Sequence, residues 1–217
     1  MTDYTLVVGT RNWSSWSLRP FLALSATGAS FETVVIPLRQ EPLTGQMIQK
    51  HSPTGKVPVL KIHDGGDTVL VWDSLAICET LAERHPEAGL WPGDWKTRAR
   101  ARALAAEMHS GYPDLRDQLP MDFARHLPLP DLRETTVKQI ARVQDIWRTE
   151  LAASGGPFLF GRFGIADAMF APVVSRFETY GVAVDGGVRA YMDEIMALPG
   201  MKDWASSART EVAAHIA

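Results

Sequence analysis

The sequence predicts a small α/β domain followed by an all-helical bundle. Three observations carry that reading: β-type apolar runs are confined to the first part of the chain, helical stretches alternate with them, and after a segment broken by prolines and glycines only helical periodicity remains. The expected boundaries are 1–84 for the α/β domain, 85–95 for a linker and 96–217 for the helical domain.

Each element follows from local chemistry. Tyr4 to Gly9 (YTLVVG) is a short apolar run rich in β-formers, and so a buried strand. Leu18, Phe21, Leu22 and Ala26 recur at helical spacing until Gly28, a natural stop. Phe31 to Leu38 reads as a second strand, followed by a short helix from Leu43 to Lys50. Val57 to Ile62 and Thr68 to Trp72 are two strands joined by Asp64-Gly65-Gly66-Asp67, the signature of an antiparallel hairpin. Ser74 to Arg84 returns to helix, with Leu75, Ile77, Cys78 and Leu81 as its apolar stripe. The order is β-α-β-α-β-β-α, which suits a parallel pair with a crossover helix plus added antiparallel strands. Beyond the linker, helices are expected over Lys96–Gly111, Thr135–Ala153, from Gly164 onward, Val188–Leu198 and Met201–Ala214. In the second of these, Val137, Ile140, Ala141, Trp147 and Leu151 are read as one apolar side.

Composition narrows the function. Lys and Arg number 22 against 25 Asp and Glu, a net charge of −3 with no basic block, so a nucleic-acid partner is not expected. No run reaches the roughly 18–20 apolar residues of a membrane span, and the N-terminus carries no export signal, so a cytoplasmic protein is expected. Asn12-Trp13-Ser14 is then a sequon by chance. The single cysteine, Cys78, excludes a disulfide framework within the chain and a Cys-x-x-Cys motif, and lies on the apolar stripe of its helix. No His, Asp or Glu set has metal-ligand spacing, so no metal is expected.

Chemistry concentrates in three short motifs. Ser14, Ser15 and Ser17 lie between the first strand and first helix; with Pro20 best placed in the first helical turn, the helix is expected to begin near Ser17. That leaves Ser14 and Ser15 beside the positive end of the helix dipole, either as ordinary caps or as hydroxyl donors to an anion. No Gly-x-Ser-x-Gly is present, so a serine-hydrolase elbow is excluded by pattern. Lys56-Val57-Pro58 opens the third strand, and Trp72-Asp73-Ser74 closes the fourth where a helix starts. Asp73 or Ser74 reads as an N-cap, or as a holder of the ammonium and carboxylate of an amino-acid-like ligand.

The spacing of these motifs resembles the glutathione transferase superfamily over essentially the whole chain, and Ser14-Ser15-Trp16-Ser17-Leu18-Arg19 looks most like the zeta-class motif Ser-Ser-Cys-x-Trp-Arg. The resemblance implies a thioredoxin-like N-terminal domain, an all-helical C-terminal domain, glutathione as co-substrate and a homodimer. It implies Ser14 as the catalytic hydroxyl with Ser15 as its neighbour, Val57 and Pro58 as the turn that pairs with the cysteinyl part of glutathione, and Asp73 and Ser74 as the γ-glutamyl reader. Lys56 is a candidate for the glycine carboxylate. Trp13, Trp16, Met108, His109 and Tyr112 are candidates for the pocket of a small hydrophobic electrophile, with core packing as the plain alternative. Gly164-Ile165-Ala166-Asp167 with Pro172 resembles the family's helix-folding signature, in which Asp167 would bond back to the cap. Trp16 departs from the zeta class, which has cysteine there, and no cysteine occupies the turn to support thiol-reductase chemistry. The reading is a glutathione transferase; the alternatives are an isomerase or peroxidase on the same site, or a non-catalytic binding or stress-regulatory protein.

Overall fold

A computed structural model describes residues 3–217. The α/β part runs β1 (Tyr4–Gly9), α1 (Ser15–Thr27), β2 (Phe31–Ile36), α2 (Leu43–Gln49), β3 (Val59–Asp64), β4 (Asp67–Trp72) and α3 (Ser74–Arg84). The sheet order is β2-β1-β3-β4, with β1–β2 parallel and the other pairs antiparallel. Gly65 and Gly66 both have positive φ, at 59° and 105°, which lets two residues close the β3–β4 hairpin in the sense that matches strand twist. Alternation along β1 divides the core: Leu6 and Val8 join the main cluster with α1 and α3, while Val7 joins Ile36, Ile48 and Val59 under α2.

A single 3₁₀ turn, Pro86–Ala88, leads into α4 (Trp95–Ser110), α5 (Pro113–Gln118), α6 (Glu134–Ser154), α7 (Ile165–Tyr180), α8 (Gly186–Ala197) and α9 (Pro199–Ala213). Trp147 centres this half, fully buried among Phe170, Phe177 and Tyr191. The two halves share one hydrophobic cluster, because α1 packs on α3 on one side and on α7 and α9 on the other.

Three expectations are corrected. α1 starts at Ser15 and not near Ser17, because the Ser14 carbonyl already accepts from the N–H groups of Ser17 and Leu18. Pro20 therefore lies inside the helix, where its ring removes the donor that would serve the Trp16 carbonyl. In α6, Val137 and Ala141 face solvent; the buried line is Thr136, Ile140, Val143, Trp147 and Glu150. Its polar members are tolerated there because Thr136 donates to Gln118 and Glu150 accepts from Arg100. α5 was not foreseen: six residues carry too little periodicity to register, although Pro113 opens it in the favoured first position.

Asp167 ties the connection between α6 and α7 to the start of α7. Fully buried, it accepts from the N–H of Leu159 at 3.1 Å and from that of Gly164 at 3.0 Å. Gly164 is required by proximity: a Cβ there would lie 2.7 Å from the Leu90 carbonyl, which accepts from Ile165. Replacing Asp167 with Ala strands two buried donors, at about 1–3 kcal/mol each. We expect Asp167→Ala to lower stability by about 2–6 kcal/mol in urea unfolding, with Asp167→Asn intermediate because one acceptor is retained.

Candidate active site

The site forms where β1, β3 and β4 end or begin and the helices α1 and α3 start. At the end of β1 the Gly9 N–H donates to Ser17 Oγ at 3.1 Å, and Ser14 Oγ donates to the same oxygen at 2.7 Å. Ser14 occupies the cap position of α1 but its side chain makes no capping bond. Ser15 is the first residue of the helix, and all three serines are buried. Ahead of them, Asn12 is fully buried, with its amide bonded to Asp122 and to the Ala124 N–H, which removes the sequon from modification in the folded protein.

A cleft of about 580 Å³ opens beside this turn. Its walls include Lys56, Val57 and Pro58, the last two joined by a cis peptide, and Asp73 and Ser74 opposite them. Trp16 from α1 and His109 from α4 close it on the helical side. Asp73 caps α3: its Oδ1 accepts from Leu75 at 2.9 Å and Ala76 at 3.2 Å, while Oδ2 lies 3.1 Å from His109 Nε2. The Ser74 hydroxyl is buried on the cleft wall with no hydrogen-bond partner. The Trp16 and His109 rings meet edge to face at 5.3 Å, and the guanidinium groups of Arg19 and Arg116 lie 4.3 and 4.7 Å from the Trp16 ring centre.

The other candidate residues lie elsewhere. Ser14 and Ser15 stand behind the cleft and not on its wall. Trp13 is half-buried beneath Arg39, 4.2 Å from its ring centre. Met108 is wholly in the core; the Tyr112 hydroxyl donates to Glu107, and burial together with that carboxylate holds it far above the usual phenol range. Thr54 and Trp72 also line the cleft; Trp72 belongs to the Trp72-Asp73-Ser74 motif but, like Thr54, is not among the site residues expected from the sequence. The signals were present: Thr54 is in the turn that precedes Val57-Pro58, and Trp72 is a large aromatic at a strand end.

Burial dominates the electrostatics. Arg19 is almost completely buried and ties α1 to α7 through the Met169 carbonyl at 3.2 Å. Burial, then Arg116 and Arg176, push it well below the ordinary guanidinium value. His109 is lowered by burial first and also by Arg19 and Arg116, with Asp73 pulling the other way. No group of three or more potential metal ligands exists among the described residues.

Comparison with known proteins fits this geometry. The family profile described as "Glutathione S-transferase, N-terminal domain" matches residues 13–84, and the one described as "Glutathione S-transferase, C-terminal domain" matches residues 130–216. The chain belongs to the glutathione S-transferase family. Within that family the curated relatives include a "Probable maleylacetoacetate isomerase" of Caenorhabditis elegans, 34% identical over 48% of this chain and 46% of that protein. The maleylacetoacetate isomerase of Pseudomonas aeruginosa is 27% identical over 82% of this chain and 84% of its own. Among solved structures, maleylacetoacetate isomerase from Anaeromyxobacter dehalogenans, with glutathione bound in its active site, superposes with a TM-score of 0.68 at 28% identity, covering 94% of this chain and 96% of that one. The α/β half is thus a thioredoxin-like domain and the rest the family's helical domain, on the zeta-like side of the superfamily.

Cys78, fully buried on α3, is pushed up to about 12, chiefly by burial. We expect no reaction of the native protein with a disulfide reagent at neutral pH, and one thiol released on unfolding in guanidinium.

Proposed function

We propose that this chain is a glutathione transferase that ionises the tripeptide's sulfur with a serine hydroxyl at the start of α1 and adds it to a small hydrophobic electrophile. The observation that carries the reading is the partnerless buried hydroxyl of Ser74 at the N-terminus of α3, beside the Asp73 carboxylate. An amino-acid head group satisfies both: its carboxylate takes the Ser74 hydroxyl, and its ammonium takes Asp73. On this reading the γ-glutamyl end rests on Asp73 and Ser74. The cysteinyl backbone pairs with Val57 beside Pro58, Lys56 meets the glycine carboxylate, and the sulfur points toward Ser14 and Ser15. The electrophile enters along Trp16 and His109.

The arithmetic suffices. A cysteine-type thiol titrates near ~8.5, and a hydrogen bond to the charged form is worth about 1.5–3 kcal/mol, or roughly one to two pKa units. The dipole of α1 adds to this. In the free protein the Ser14 proton is committed to Ser17, whose oxygen is also held by Gly9. On this reading the Ser14 hydroxyl turns from Ser17 toward sulfur. The thiolate then bonds to the electrophilic carbon, and the leaving group departs with its electron pair.

An isomerase is the second reading, favoured by the activity named for the zeta-class relatives; there the thiolate adds to a cis double bond and is later expelled unchanged. A peroxidase would use the same thiolate. Assays with a chlorinated aromatic, a hydroperoxide and a cis-unsaturated diketo acid separate the three, and glutathione binding without thiolate absorbance near neutral pH would leave a non-catalytic binder. We expect Ser14→Ala to raise the pKa of bound glutathione by about one to two units and cut turnover near neutral pH roughly ten- to hundredfold, with affinity little changed. An unchanged pKa would move the role to Ser15 or Ser17.

A cytoplasmic homodimer is part of the proposal. The β4 edge leaves Val69, Leu70 and Trp72 at 52%, 40% and 45% exposure, an apolar strip on an unpaired strand. No helix among the described residues is long and apolar enough to cross a membrane. Sedimentation of the wild type should give a dimer, and Leu70→Glu should shift it toward monomer.

A further inference from the structure

The contact between Asp73 and His109 joins the two halves of the molecule at the cleft wall. Asp73 belongs to the β4–α3 turn, where its backbone takes a φ of 72°, uncommon for a residue with a side chain. Its Oδ1 is committed to the Leu75 and Ala76 N–H groups, so Oδ2 and the remaining lone pairs are what a ligand can use. His109 comes from the last turn of α4 and reaches Oδ2 with Nε2 at 3.1 Å. An ionised carboxylate only accepts, so Nε2 carries the hydrogen and Nδ1, buried and without a partner, carries the lone pair. The Trp16 ring packs edge to face against the imidazole at 5.3 Å.

We propose that His109, from the helical domain, is a positioning residue of the glutathione site: while neutral it steers the Asp73 carboxylate toward the γ-glutamyl amine, and when protonated it takes that carboxylate for itself. The inference rests on Asp73 holding the amine, as argued above. A neutral imidazole supplies a hydrogen bond without cancelling the charge the ammonium seeks. An imidazolium at the same distance neutralises Asp73 and repels the incoming cation. The charged groups that face His109 are Asp73 from the β4–α3 turn, Arg19 from α1 and Arg116 from α5. Asp73 draws a proton onto it, whereas burial and both guanidinium groups resist one, and resistance prevails. The site therefore stays open at neutral pH and closes on the acid side of the ordinary histidine value.

The test is calorimetric titration of the whole protein with glutathione and with a glutathione analogue lacking the γ-glutamyl amine, between about pH 5 and pH 7.5. His109→Ala should weaken glutathione about tenfold near neutral pH and leave the analogue unchanged. His109→Gln, whose amide N–H occupies the place of Nε2–H, should restore neutral-pH affinity and abolish the acid-side weakening seen in the wild type. Equal losses for both ligands, or an acid profile unchanged by His109→Gln, overturns the proposal. If the wild type does not distinguish the two ligands at all, the assignment of the amine to Asp73 fails, and this inference with it.

Discussion

The structure depends on the burial of α1. From Ser15 to Leu24 every residue except Trp16 is withdrawn from solvent, because α3 covers one side and α7 and α9 cover the other. One helix thus belongs to two hydrophobic environments, which is why sheet and bundle share a core. Arg19 states the constraint most sharply: a guanidinium held among apolar neighbours is satisfied in part by the Met169 carbonyl and in part by the face of Trp16. Displacing α1 would expose that charge arrangement, the α7 contact and the serine turn together.

A helix held in this way can begin without a side-chain cap. Three helix starts recruit a cap side chain to satisfy the first N–H groups: Asp73 for α3, Asp94 for α4 and Asp185 for α8. Ser14 does not, and turns its hydroxyl to Ser17 instead. The tertiary packing of α1 and the backbone bonds of its first turn replace the side-chain cap. The cleft as a whole is assembled from element ends, where the backbone has donors to offer and side chains of distant segments meet.

Local chemistry was legible where a few neighbours decide the outcome. The Gly65-Gly66 hairpin, the stop at Gly28 and the start of α3 were all readable, because turn geometry and apolar period operate over only a few residues. The apolar side of α6 was not. Val137 and Ala141 are apolar by type yet exposed, while Thr136, Gln144 and Glu150 are polar yet buried, and the difference lies in partners from Gln118, Ala183 and Arg100 that no window of sequence contains. The start of α1 differs for a related reason: Pro20 by itself favours a start near Ser17, whereas the packing of α1 tolerates it inside the helix.

By itself the sequence determined the alternation of strands and helices, the two-part organisation and the short motifs that mark the family, because these are written in local backbone preference and in residue types at fixed spacing. Only the tertiary structure decided which motif residues share a cleft. It set Asp73 and Ser74 across from Val57 and Pro58, brought His109 and Trp16 to the same wall, and sent Met108 and Tyr112 into the core. Helical period says that a side chain is on one face or another; which face meets a cavity depends on how α4 lies against α1 and α3, and that is settled by the summed packing of the shared core.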